Sequence, residues 1–195
     1  MNLVDRAKNI LITPKTEWEV IKNESSSVQQ IITGYVLPLS LIPTIAIILG
    51  WGLIGVIFTS FTYGLILGLV VFINAIIGVI VSALIIDALA PNFGSQKDLV
   101  KSTQLVAFSM TPGWIAGIIN ILPVIGWIGS LASLYGLYLL YLGLGPLKGT
   151  PEDKKIGYLI VSILVIILLY FIVSAILTAI LFSVFGFSMM YGTGM

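Results

Sequence analysis

The sequence predicts an all-α integral membrane protein: a bundle of five transmembrane helices with a short amphipathic cytoplasmic N-terminus. Three observations carry this. Of 195 residues, 58% are hydrophobic and 9% charged, with a mean hydropathy of +1.14, whereas a soluble domain carries about 25% charged residues. From Ile31 to Ile86 there is no charge at all, a run that needs about 20 residues per span and so holds two spans with a connector. All 9 Lys and Arg fall in three segments, 1–30, 91–104 and 146–155, which five spans place on one side. The positive-inside rule makes that side cytoplasmic and the C-terminus external, the pattern of a multi-pass cell-membrane protein.

Composition also excludes chemistry. There is no Cys and no His, so disulfides, thiolate and imidazole catalysis and the usual zinc sites are ruled out. Net charge is +1, with no broad basic surface for nucleic acid. No cofactor and no metal are expected. No basic region followed by a signal-length apolar core opens the chain, so the first span is expected to direct insertion.

Residues 1–30 form the amphipathic cytoplasmic segment and 31–195 the five-span membrane domain. Leu3, Ala7, Ile10 and Leu11 recur at helical spacing among Asp5, Arg6, Lys8 and Asn9. Thr13-Pro14 starts a second helix, with Trp18 and Ile21 on its apolar edge. These helices lie either at the membrane surface, with Trp18 at headgroup depth, or on the protein's own cytoplasmic loops. Ser25 to Ser27 reads as a hinge.

The spans are expected at about 32–50, 65–89, 105–121, 126–144 and 156–184. Pro38 and Pro43 predict a kinked or partly unwound first span. Residues 50–64, with Gly50, Gly52, Gly55 and the stretch Thr59–Gly64, read as an interfacial loop or short re-entrant segment. Residues 95–104 read as a polar loop, and Pro123 and Gly126 as a tight turn. Lys148 to Lys155 reads as a charged loop in which Thr150 caps and Pro151 opens the last helix, with Glu152 and Asp153 in its first turn. That helix is expected to run to about 184, and the tail 186–195 has no charge.

Asp87 is the first charge after Glu24. Pro91 should end its helix and push Ala90 out of the helical region, leaving the Asp87 carboxylate at the unfavourable end of the helix dipole. It therefore needs a cation or several donors, with Lys97, Lys101 and Arg6 as candidates. It is either an intramembrane acid that binds, gates or relays protons, or an interfacial residue marking where the helix leaves the lipid.

Small residues mark close helix contacts in lipid. Asn74, Gly78 and Ser82 share a face of the second span, and Gly113, Gly117 and Asn120 one of the third. Gly129, Ser133, Gly136, Leu140 and Gly143 form a seam on the fourth. This is either intramolecular packing or a polar cavity lined by Asn74 and Asn120. Tyr138, Tyr141 and Tyr158 are expected in a cytoplasmic aromatic belt, with Trp51, Phe61, Tyr63 and Trp127 on the other face.

Several stretches resemble the Yip family, the Ypt/Rab-interacting membrane proteins, in its small prokaryotic form. They are Arg6–Leu11 (RAKNIL) with Pro14 and Trp18; Tyr35–Pro38 (YVLP); Leu89–Gly94 (LAPNFG); Ala107–Pro112 (AFSMTP); Leu134–Tyr141 (LYGLYLLY); and the Thr150–Lys154 loop before an Ile/Val-rich span. The resemblance implies five transmembrane helices and a cytosolic N-terminus. Eukaryotic members are implicated in binding prenylated Rab GTPases and in vesicle traffic; for prokaryotic-type members it implies a fold and no reaction.

Two functions are open. One is a non-catalytic scaffold or adaptor engaging protein or lipid through a cytoplasmic surface of Arg6, Trp18, Pro91, Asn92, Phe93, Lys97 and Lys101. The other is a small transporter or channel using Asp87, Asn74 and Asn120. The expected partners are the lipid bilayer and a membrane or cytoplasmic protein, with an oligomer allowed. An enzyme is not expected, because Glu152 and Asp153 are accounted for as helix-start residues.

Overall fold

The computed structural model describes residues 2–54 and 60–191. Among them there is no strand, and five helical segments are long and apolar enough to cross a membrane: Val28–Gly52, Phe61–Phe93, Leu99–Ile121, Gly126–Lys148 and Glu152–Ile180. The chain is a multi-pass membrane protein. Gly55 and Thr59 of the expected connector lie outside the described residues.

Two short helices come first, α1 (Leu3–Ile12) and α2 (Pro14–Lys22). Asn2 caps α1 by accepting from the Val4 N–H, and Pro14 opens α2. They pack on the bundle rather than lying out at the headgroups. Trp18 is 0% exposed, and Ile10 and Ile21 are equally buried. The Trp18 ring lies against Gly143 and within 6.3 Å of the Phe108 ring. Of the two placements expected for these helices, the one found is packing on the protein itself, though against helices of the bundle rather than its loops. With neither α1 nor α2 apolar enough to stand alone, the apolar stripe is covered by the later helices Leu99–Ser109 and Gly126–Lys148.

The first span starts earlier than expected. Ser27 is a cap rather than a hinge: its hydroxyl accepts from the Gln30 N–H while the Gln30 side chain accepts from the Ser27 N–H. Helix α3 (Val28–Ile31) passes through a π turn at Ile32–Val36 into α4 (Leu37–Gly52). Pro38 and Pro43 each remove one helical donor, and the wide turn just before Pro38 is the predicted partial unwinding. Helix α5 (Phe61–Leu89) takes in Phe61 to Gly64, with the Ser60 hydroxyl capping it, so these residues are not connector. At 29 residues it rises roughly 44 Å, longer than the ~30 Å hydrocarbon layer.

Beyond α5 the chain stays helical. Ala90 keeps helical angles and a 3-10 turn runs Ala90–Phe93, because that turn accepts proline at its first positions. Gly94, at φ 66, ends it. The expectation that Pro91 forces Ala90 out of the helical region is overturned.

Residues 99–104 are not loop. Asp98 caps α6 (Leu99–Ser109) through the Lys101 N–H. Pro112 cannot donate to the Phe108 carbonyl, and the Thr111 hydroxyl does so instead at 2.7 Å. The third span breaks there and resumes as α7 (Thr111–Ala116), followed by a 3-10 turn at Gly117–Ile121. Helix α8 (Gly126–Lys148) ends at Gly149, φ 62. Its glycine seam faces the third span: a Cβ on Gly129 would come 2.8 Å from the Ala116 carbonyl oxygen, and one on Gly136 2.5 Å from that of Ser109. Helix α9 (Glu152–Tyr191) packs chiefly on α5. Only 6% of its apolar window is buried, so most of it faces lipid.

Candidate functional site

The charged residues gather at the end of the bundle where α5, α6, α8 and α9 meet the N-terminal helices. Two ion-pair networks form there.

Asp87 and Lys148 build the first. The Asp87 carboxylate sits in the last turn of α5, facing the negative end of that helix. It accepts from the Asp98 N–H at 2.7 Å, the Ser102 hydroxyl at 3.1 Å and the Lys148 ammonium at 3.0 Å. The first two donors belong to the start of α6, whose positive dipole end offsets the penalty from α5. Lys148 is 0% exposed and also donates to Ser102 Oγ and the Asp98 carbonyl. All three ammonium hydrogens therefore have acceptors. Asp87 does need a cation, but it is none of the three expected. Lys97 is on the exposed loop, Lys101 points to α2 and Arg6 is engaged elsewhere. The expectation of a charged loop from Lys148 to Lys155 is corrected at its first residue. In the structure Lys148 is the last residue of α8 and points inward.

Around this pair the loops are pinned. The Gln96 N–H donates to the Lys148 carbonyl at 2.8 Å, and Ser95 and Thr150 hydroxyls bond each other at 2.8 Å. Thr150 donates to the Leu144 carbonyl, so its hydroxyl serves the end of α8 rather than capping the last helix. Glu152 and Asp153 do occupy the first turn of α9. Tyr158 is buried, donates to the Ile86 carbonyl and stacks on Phe93 with centroids 4.8 Å apart. It is thus no part of an interfacial belt.

The second network ties down the N-terminal helices. Arg6, 4% exposed, bonds both Glu17 and Glu24 and lies over the Phe108 ring. Lys101 donates to the carbonyls of Ile21, Lys22 and Glu24, where α2 ends. Arg6 and Trp18 are consequently interior, and neither is available on a cytoplasmic surface. Of the expected surface, Pro91, Asn92 and Lys97 are exposed and Phe93 half-buried. Next to them the sequence offered no warning of a polar groove of about 520 Å³ between α2 and the α8–α9 turn, lined by Lys15, Glu19, Lys22, Pro146, Glu152 and Lys155.

Asn74 and Asn120 come together elsewhere. Both line a cavity of about 610 Å³ bounded by α5, the third span, α8 and α9. Asp87 is not among its lining residues, so the three residues assigned to transport are not one site. Asn120 donates to the Gly117 carbonyl at 2.9 Å; no Asn74–Asn120 bond forms.

The Yip1 domain family matches residues 8–176, most of the chain. No curated protein sequence and no solved structure matches it.

Proposed function

The chain belongs to the Yip1 domain family, and on that premise we propose that it is a non-catalytic integral membrane scaffold or adaptor, engaging protein or lipid through its cytoplasmic face. The N-terminus and the loops at residues 91–98 and 149–151 lie on that face, the C-terminus is external, and the membrane is the cell membrane.

The observation that carries this reading is the division of labour among the charges. Arg6, Lys101 and Lys148 are consumed inside the protein, where they hold the face together. Lys8, Lys15, Lys22 and Lys97 remain exposed, as do Pro91 and Asn92. A rigid platform bearing cations and a few apolar contacts suits a protein partner or anionic headgroups. Among the described residues its one hydroxyl–amine pair, Ser102 and Lys148 at 2.7 Å, is fully buried, with the ammonium bonded to Asp87.

Photo-crosslinkers introduced at Asn92, Lys15 and, on the opposite end, Ile118 test this in native membranes. Discrete protein or anionic-lipid adducts are expected from the first two positions, and those from Asn92 should be lost in Lys15→Glu/Lys22→Glu. Adducts arising only from Ile118 would overturn the reading.

The shared cavity of Asn74 and Asn120 supports a second function, a small transporter. Solute flux in proteoliposomes that stops with Asn74→Leu would favour it over the scaffold.

A further inference from the structure

We propose that the cavity between α5, the third span, α8 and α9 binds a neutral amphiphile drawn from the surrounding lipid: a long apolar chain carrying a hydroxyl or carbonyl group.

Size and lining suggest the class. At about 610 Å³ the cavity falls within the range of small-molecule sites. Val71, Ala75, Ile163, Ile166 and Val173 supply apolar walls, and no charged residue lines it. An ion or a carboxylate would meet no counter-charge there. Of its lining residues, Trp127 on α8 and Tyr170 on α9 are 66% and 51% exposed, so the cavity opens between these two helices. Helix α9 leans on α5 rather than on α8, which leaves that side gap.

The polar groups in the cavity divide by depth. At the end remote from the charges, Asn120 bonds the Gly117 carbonyl and Ser130 the Trp127 carbonyl. Deeper in, Ser109 is only 5% exposed and its Oγ has no hydrogen-bond partner. Asn74, likewise 5% exposed, lies about 20 Å along α5 from Phe61. A buried polar group without a partner is costly in a membrane. Water needs two to four polar partners to stay in such a site, and the walls are mostly apolar. An amphiphile whose hydroxyl or carbonyl meets the Asn74 amide, which lines the cavity, while its chain fills the apolar walls satisfies both. Gly78 makes room for it: it lines the cavity, and a Cβ there would meet nothing within 4 Å.

The full chain in nanodiscs, exposed to a photoreactive long-chain alcohol, tests this independently of the charged face. Adducts are expected on cavity residues such as Val71 and Ile163, competed away by the unlabelled alcohol. Gly78→Phe, whose Cβ meets no neighbour within 4 Å, places a ring in the cavity and should lower labelling by about tenfold with the protein still folded. Asn74→Leu should weaken it less. A quaternary ammonium probe of the same chain length should label poorly. Labelling that Gly78→Phe leaves intact, that falls equally on the lipid-facing Leu164 and Leu168, or that the ammonium probe matches would overturn the proposal.

Discussion

Asp87 and Lys148 stand 61 positions apart and form a buried ion pair. Such a pair adds little net stability over apolar residues of the same shape, but removing one partner strands the other charge at a cost of about 3–5 kcal/mol. Lys148→Met should therefore destabilise the protein by that amount, and Asp87→Asn should also lower its stability. The double variant should lose much less than their sum, because the two share one interaction. Thermal unfolding in detergent measures all of them. Lys97 substitutions should add independently to Asp87→Asn; a strong coupling there would contradict the geometry. At Gly94 the left-handed φ of 66 excludes a β-branched side chain, so Gly94→Val should loosen the Ser95–Thr150 contact and lower the melting temperature.

At the scale of elements, α1 and α2 behave as part of the bundle. Trp18 fills the space between Phe108 and Gly143. Trp18→Ala should cost about 3–5 kcal/mol, the usual range for a large aromatic removed from a core. Deleting residues 1–24 should expose Leu105 and Phe108 and unfold or aggregate the remainder, a result that size-exclusion chromatography in detergent would detect. A folded, monodisperse truncation would show the two helices to be peripheral. The α8 seam gives a matched contrast to Gly78. Gly136 abuts the Ser109 carbonyl, so Gly136→Leu should force the third span away and cost about 1–3 kcal/mol or more.

The whole molecule is polar at one end and apolar elsewhere. Orientation is tested with single cysteines, which the absence of native Cys makes specific. Ser95 and Thr150 are buried and bonded to each other, so they are poor labelling sites. Asn92 and Lys97 on the charged end, with Ser60 and the 87% exposed Val124 on the other, are accessible. In sealed cells, membrane-impermeant reagent should label Ser60→Cys and Val124→Cys only, and inverted vesicles should show the reverse. Labelling of Asn92→Cys from outside would overturn the cytoplasmic assignment of the charged face.

Much of this was legible along the chain. Five apolar runs, the charge segregation and the glycine seams follow from local composition and period, because a bilayer penalises every charge and unpaired backbone group according to sequence position alone. The need of Asp87 for a cation was equally local, since it follows from a carboxylate at a helix C-terminus. The Asp98 cap is also local, an aspartate opening a helical run, but the polar Ser102, Thr103 and Gln104 mask that run because they are buried only in the folded bundle. Which cation serves Asp87 was not readable, because Lys148 is adjacent only once α5, α6 and α8 converge. Nor was the burial of Trp18 and Arg6. An amphipathic helix has the same pattern whether its apolar face meets lipid or protein, and here the faces of α6 and α8 decided it. The cavity belongs to the same class: Asn74 and Ser109 are 35 residues apart in sequence, and only the way α9 leans on α5 leaves a space between them.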